Sequence, residues 1–391
     1  MDNIKEKLLD EFERVFGGTD ECRTFFAPGR VNLIGEHTDY NGGHVFPCAL
    51  TIGTYAVARK NYMNTCRFYS MNFEAQGIHA VNLDELEYDR EEYDWANYPM
   101  GVIKMLNEHE TRVDSGIDML VFGNIPNASG LSSSASLEVL TCFLCRELFG
   151  FQMSLVDMAL ISQKAENEFI HVNCGIMDQF AIAMGKKDNA IFLDTATLKY
   201  EYAPVVLDNA KIVITCSNKK RGLGDSKYNE RRSECEEALK RIQTVKNVKS
   251  LGELTESEFE EVKDVIGDPV KIRRARHAVY ENMRTVRAVE ALKKGDIDLF
   301  GRLMNESHKS LAADYEVTGI ELDTIVEASW EVPGVIGARM TGAGFGGCTV
   351  AIVKDENVNE YVDTVGKKYL EKIGYAADFY VVEIGGGPAE I

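Results

Sequence analysis

Arg30, Glu36, His37, Asp39 and Asn41 stand within twelve positions, in Pro28-Gly29-Arg30-Val31-Asn32-Leu33-Ile34-Gly35-Glu36-His37-Thr38-Asp39-Tyr40-Asn41-Gly42-Gly43. Carboxylates, an imidazole and an amide suit the hydroxyls of a sugar or polyol. A surface turn accounts for Asp39-Tyr40-Asn41-Gly42-Gly43 but not for the whole cluster. A second segment is Pro126-Asn127-Ala128-Ser129-Gly130-Leu131-Ser132-Ser133-Ser134-Ala135-Ser136. It follows an apolar strand-like run and opens a helical stretch. A helix start offers unpaired N–H groups and the positive end of the dipole, so it binds anions. Gly130 lets the backbone approach a phosphate closely. The serine hydroxyls add donors, and one of them is a candidate Mg²⁺ ligand. There is no Gly-Lys-[Ser/Thr], so this is not a Walker A loop. A serine-rich helix cap is the bland alternative, but one serine suffices for a cap. The third segment, Gly342-Ala343-Gly344-Phe345-Gly346-Gly347, matches G-x-G-x-x-G. A dinucleotide fingerprint needs a helix to begin within the motif. Here the β-branched run CTVAIV follows, which predicts a turn between two strands and argues against a dehydrogenase. Such a glycine turn can still lean on a ligand phosphate.

The elements that must hold these segments are legible in outline. Residues 1–16 predict an amphipathic helix, with Ile4, Leu8, Phe12 and Val15 or Phe16 on one face and Gly17-Gly18 as its stop. The stretch from Cys22 to about Phe68 reads as strands and loops. Helices are expected over 95–110, 154–170 and 174–185, and NAIFLDTATLKYEYAP returns to strand. VVLDNAKIVITC predicts one strand. The basic run Lys271-Ile272-Arg273-Arg274-Ala275-Arg276 reads as a solvated helix face rather than an anion patch, since Glu281 and Glu290 share the helix. The C-terminal part reads strand, glycine turn, strand, helix, strand. Two α+β domains, 1–205 and 206–391, are the simplest division of the 391 residues.

Lys+Arg total 43 and Asp+Glu 62, a formal charge of −19. Such a chain repels nucleic-acid backbones and anionic lipid, which argues against both as its main partners. No apolar run approaches the roughly 20 residues of a spanning helix. MDNIKEKLLDEFERVFGG carries both charge signs and lacks an apolar core, so it is not read as a signal peptide. Nine scattered cysteines suggest reduced thiols in a cytosolic protein. Cys142 and Cys145 make a CxxC, but inside a helix and without a second pair, which favours packed thiols. The seven histidines show no zinc spacing.

Together the three segments resemble the motifs of the GHMP kinases, and the first resembles the signature of the galactokinase branch of that family. PNASGLSSSAS is similar to the family phosphate loop, RMTGAGFGGC to its third motif, and CGIMDQF (Cys174–Phe180) to a further galactokinase block. The resemblance runs from about Phe26 to the C-terminus. Ala128 stands where the family loop often carries glycine. Some relatives are sugar sensors damaged at the stretch where Ser134-Ala135 is intact here, which favours an active enzyme. The resemblance implies an N-terminal domain like the second domain of ribosomal S5 and a ferredoxin-like C-terminal domain, with ATP and sugar meeting between them. It implies ATP-dependent phosphorylation of α-D-galactose at C1, which opens galactose utilisation by the Leloir pathway. The alternatives are a kinase of a related sugar, such as N-acetylgalactosamine or arabinose, or a non-catalytic sensor. Asp178 is implied as the base, with Arg30 beside it. Ser134 and Glu166 match the family's Mg²⁺ ligands. Glu36, His37, Thr38, Asp39, Gly175 and Tyr228 match substrate-binding positions. Ser70, Ala128, Ser129, Gly130, Leu131, Ser132, Ser133 and Ser134 match nucleotide-binding ones. A cytoplasmic monomer is the expectation.

Overall fold

The computed structural model describes residues 2–109, 111–125, 130–219 and 224–391. The first helix, Asp2–Phe16, buries Leu8 and Phe12 against Val57, Tyr69 and Leu120, as its apolar stripe predicts. Its end is held by the Arg59 guanidinium, which donates to the carbonyls of Phe16, Gly17 and Gly18.

The strands in chain order are β1 (Arg23–Asn32), β2 (His44–Val45), β3 (Pro47–Lys60), β4 (Thr65–Ser70), β5 (His79–Asn82), β6 (Ile117–Gly123), β7 (Asn189–Asp194) and β8 (Tyr200–Pro204). They continue with β9 (Ala210–Cys216), β10 (Val335–Thr341), β11 (Cys348–Lys354), β12 (Asp378–Val382) and β13 (Ala389–Glu390). A six-stranded sheet has the order β13-β1-β3-β6-β4-β5. Only its β4–β6 pair is parallel. Side chains alternate across β3: Ala56 and Ala58 join the core under the helices Asn97–Glu108 and Ser133–Phe149, while Val57 faces the first helix. The chain's last strand returns to this sheet, pairing Glu390 with Phe25.

The antiparallel sheet β10-β11-β9-β12 is built from the C-terminal half. Alternation again divides two cores. Val213 faces the helices Gly319–Trp330 and Val358–Ile373, whereas Ile212 and Ile214 join Val31, Leu33 and Phe46 of the first half. This shared core locks the two sheets together beneath the site. Among the described residues no helix is long and apolar enough to cross a membrane.

The glycine motif does lie between antiparallel strands, with Thr341 opposite Cys348. Four expectations are corrected. Cys216 and Cys348 face each other across the β9–β11 ladder and are disulfide-bonded, so not all nine thiols are free. Their separation of 132 residues hides the pairing from the sequence. The Lys271–Arg276 run is not wholly a solvated face: Arg274 is buried and donates to Glu234, Glu316 and the Asp314 carbonyl. The strand predicted from 205 begins only at Ala210. The helix expected over 154–170 is α-helical only to Lys164 and widens into a π-turn at Ala165–Phe169.

Candidate active site

The three chemistry-bearing segments converge on one cavity of about 270 Å³. Of the sequence-predicted residues, Arg30, Glu36, His37, Asp39, Gly130, Ser132, Ser133, Ser134, Glu166, Gly175, Asp178 and Tyr228 line it. Thr38 does not, because its hydroxyl donates within the loop to the Gly35 and His44 carbonyls. Leu131 is buried behind the wall, and its carbonyl accepts from the Arg30 N–H. Ser70 is buried at the end of β4, away from this cavity, and takes the Asn72 N–H on its hydroxyl. Ala128 and Ser129 lie outside the described residues.

Arg30 projects from β1 and Asp178 from the first turn of the helix Met177–Ala183. The guanidinium fork grips the carboxylate at both oxygens: Nε to Oδ1 at 2.8 Å and Nη2 to Oδ2 at 2.7 Å. Arg30 is buried, and the Asp178 side chain keeps 30% of its surface open to the cavity. The remaining Arg30 nitrogen, Nη1, donates to the Gly130 carbonyl at 2.6 Å. Ser132 stands at the start of the helix Ser133–Phe149 with φ +59°, and its side chain does not cap that helix. Its hydroxyl donates to Asp178 Oδ2 instead. The serine loop is therefore tied to the carboxylate–guanidinium pair, and the N–H groups of the helix start beside it.

Glu166 sits in the π-turn, a distortion common at functional sites. The Ser134 hydroxyl lies 3.4 Å from its Oε1. On the other side the Gln179 amide donates to Glu166 Oε2 at 2.6 Å and to Glu138 Oε2 at 2.9 Å. The Cys174 thiol also faces Glu166 Oε2. Burial, reinforced by the Asp178 charge, pushes the Glu166 carboxyl up to about 7. Burial pushes Glu138 well above the carboxylate range, with Glu166 adding to it. A crowd of buried acids with a hydroxyl at its edge suits a hard cation, and Glu166 Oε1 with Ser134 Oγ are the oxygens on the cavity side.

The sugar-like loop wraps the opposite wall. Burial pushes the Asp39 carboxyl up to about 6, with the charges of Asp178 and Glu36 adding to it, against the backbone N–H groups of Tyr40 and Met177. Gly175 is required beside it, since a Cβ there would stand 1.8 Å from Asp39 Oδ2. Glu36 is buried, and three donors reach its Oε1: Gly342 N–H at 2.8 Å, Thr341 hydroxyl at 3.1 Å and Arg339 at 3.5 Å. His37 bonds the Tyr40 hydroxyl through Nδ1 at 2.6 Å, and burial lowers its ring to about 3, so it is neutral. Tyr228 packs against His37 and Tyr40, and burial raises its phenol well above the ordinary range, keeping the O–H a donor. Gly342 in the third motif lies against Gly130, where a Cβ would meet the Gly130 carbonyl at 2.9 Å. The glycine turn thus braces both the serine loop and the sugar-like loop.

Sequence reasoning missed Arg339, Thr341, Glu138 and Gln179. Glu138 carried a signal, being the lone charge in an otherwise uncharged helical stretch from Ser133 to Cys145.

Two α+β halves with a carboxylate–guanidinium pair and a serine-rich helix start in the cleft between them are the build of a small-molecule kinase of the GHMP class. Family comparison agrees: residues 97–186 match the GHMP kinases N terminal domain and 288–370 the GHMP kinases C terminal domain. A mevalonate kinase of Methanococcus jannaschii, 19% identical, shares the fold with a TM-score of 0.66 over 94% of this chain and all of its own. Residues 10–60 match the galactokinase galactose-binding signature. The galactokinase of Clostridium acetobutylicum is 58% identical over 98% of both chains, and that of Fusobacterium nucleatum 58% over 99% of both. The structure of Lactococcus lactis galactokinase complexed with galactose is 50% identical, with a TM-score of 0.97 over 99% of this chain and 100% of that one. The chain belongs to the galactokinases.

Proposed function

We propose that the chain transfers the γ-phosphoryl group of ATP to the C1 hydroxyl of α-D-galactose, giving galactose 1-phosphate and ADP, the first step of galactose utilisation. The observation that carries this reading is the Arg30–Asp178 pair set between the serine-rich helix start and the loop bearing Glu36 and Asp39. Phosphoryl transfer asks the protein mainly for positioning and charge stabilisation. Asp178 Oδ2 already holds two donors, Arg30 and Ser132, whereas Oδ1 holds one. Oδ1 is therefore the oxygen with capacity to take the proton of the sugar hydroxyl as its oxygen bonds to phosphorus and the bond to the ADP oxygen breaks. Arg30 stabilises charge on the attacking oxygen and the phosphoryl group. Backbone N–H groups at the start of the helix Ser133–Phe149 hold phosphate oxygens. Glu36, Asp39 and Tyr228 bond sugar hydroxyls, and Gly175 keeps room for Asp39. The test is phosphorus NMR of product formed from galactose and MgATP: galactose 1-phosphate is expected, and sugar binding without turnover would mark a sensor instead.

Ser134 Oγ and Glu166 Oε1 would hold Mg²⁺, which, when bound, neutralises ATP phosphate charge. Gln179 fixes the other Glu166 oxygen, leaving Oε1 toward Ser134. Replacing Glu166 by Ala should raise the Mg²⁺ concentration for half-maximal rate by about 10-fold or more. Galactose affinity measured without nucleotide should barely change. A fall in sugar affinity with an unchanged Mg²⁺ requirement would move Glu166 to the sugar site.

Asp39 gives the site a pH dependence. Its carboxyl is raised to about 6, so it loses its charge as pH falls through that value, earlier than an ordinary aspartate. A neutral acid is the weaker acceptor. Galactose Kd by calorimetry should rise below pH 6, approaching about tenfold per pH unit. Asp39→Asn should flatten that rise. An identical acid limb in the variant would assign it to another group. We also propose the division near residue 205 as the domain boundary, a cytoplasmic location where ATP is supplied, and a monomer.

A further inference from the structure

Glu36 is surrounded by a closed ring of buried polar groups drawn from the C-terminal half. Arg339, fully buried on β10, sends Nη1 to the Asn32 carbonyl at 3.0 Å and to Glu36 Oε1 at 3.5 Å. Its Nε donates to the Ser307 hydroxyl at 3.2 Å, on the helix Ile297–Ser310. Ser307 in turn donates to Glu281 Oε1, and the same oxygen accepts the Gly35 N–H at 3.0 Å. Arg284 pairs with the second Glu281 oxygen. His277 bonds the Glu36 carbonyl at 3.1 Å. The backbone on both sides of Glu36 is thus gripped, and its carboxylate is turned by Thr341, Gly342 and Arg339.

All three of those donors reach Oε1. The Asn32 side-chain amide also stabilises the Glu36 carboxylate, and Glu36 still lines the cavity. A carboxylate held on one oxygen by three donors from the C-terminal half is oriented. A buried arginine and threonine are costly to keep there unless their partners are fixed, because a buried donor without a partner loses its hydrogen bonds to water with nothing in exchange. We propose that Arg339 and Thr341 are positioning residues for sugar selection: by anchoring Oε1 they set the angle at which the Glu36 carboxylate meets the sugar. This rests on the reading of Glu36 as a sugar-hydroxyl acceptor. It goes beyond that reading by placing the determinant of its orientation on a strand over 300 residues further along the chain.

The experiment is a double-mutant cycle on galactose Kd, by calorimetry without nucleotide, with Thr341→Val and Glu36→Ala. Valine keeps the shape and removes the hydroxyl. Thr341→Val should weaken galactose binding about 3- to 10-fold in the parent. In the Glu36→Ala background it should cost nothing further, because no carboxylate remains to be turned. kcat at saturating galactose and the KM for ATP should stay within about twofold of the parent, since uniform binding alone is lost. Arg339→Lys, which keeps the charge but not the fork, should show the same coupling to Glu36. Equal losses in both backgrounds would reduce Arg339 and Thr341 to structural supports and overturn the proposal, as would a loss in kcat with Kd unchanged. A Glu36→Ala variant that binds galactose as well as the parent would instead remove the underlying reading of Glu36.

Discussion

Replacing Asp178 by Asn is expected to lower kcat by about 10²–10⁴-fold, the usual effect of losing a general base, with galactose and ATP affinities close to the parent's. The substitution changes no volume, and Asp178 stands on a helix whose neighbours Met177 and Phe180 are packed in the core. What it removes is the one carboxylate gripped by the Arg30 fork. An amide offers one oxygen where Arg30 and Ser132 now find two, and its NH₂ cannot accept a proton. Arg30 should then be partly unpaired in a buried position, so a modest loss of stability accompanies the kinetic loss. Calorimetry on the folded variant separates the two effects. A kcat within a few-fold of the parent would remove Asp178 from the base role. Arg30→Lys should also be severe, because a point charge spans neither both carboxylate oxygens nor the bond to the Gly130 carbonyl.

The parts of this site that were legible in the sequence are those whose chemistry is local. Gly130 with its run of serines, and Arg30 to Asn41 with their density of polar groups, announce themselves within a dozen residues. The failure of the G-x-G-x-x-G motif as a dinucleotide site was equally local, since β-branched residues follow Gly347 and a strand does form there. The illegible parts depend on contacts made across the fold. Arg339 stands inside the strand Val335–Thr341 at the head of the motif RMTGAGFGGC, but the partners that give it a role, Asn32 and Glu36, lie in the first half of the chain. Arg274 sits in a basic run that reads as solvated, and only the approach of Glu234 and Glu316 makes its burial tolerable. Ser132 reads as a cap, yet its left-handed backbone turns the hydroxyl toward Asp178, and no pattern of residue types encodes that. Cys216 and Cys348 look like scattered thiols until β9 and β11 pair.

Galactose should be preferred over glucose by at least about 10²-fold in kcat/KM, the result of leaving one or two buried polar groups unpaired at about 1–3 kcal/mol each. The two sugars differ only at C4, where the hydroxyl of galactose is axial. A flexible wall could follow that hydroxyl to its equatorial position, but this wall cannot. Asp39 is held between the backbone N–H groups of Tyr40 and Met177 and rests against Gly175 without room for a Cβ. Glu36 is fixed through Oε1 by three donors. The Tyr228 ring is wedged against His37 and Tyr40. A sugar whose hydroxyl points elsewhere therefore strands an acceptor instead of drawing it along. Asp39→Ala removes one such acceptor, so it should lower kcat/KM for galactose more than for a weak substrate lacking the hydroxyl that Asp39 contacts. The measurement is kcat/KM for galactose, glucose, N-acetylgalactosamine and arabinose, on the parent and on Asp39→Ala. Equal values for galactose and glucose would mean that the wall yields, and that the fixed geometry around Asp39 and Glu36 does not select the sugar. A uniform loss across all four sugars in Asp39→Ala would show that Asp39 supports the loop rather than reading a hydroxyl.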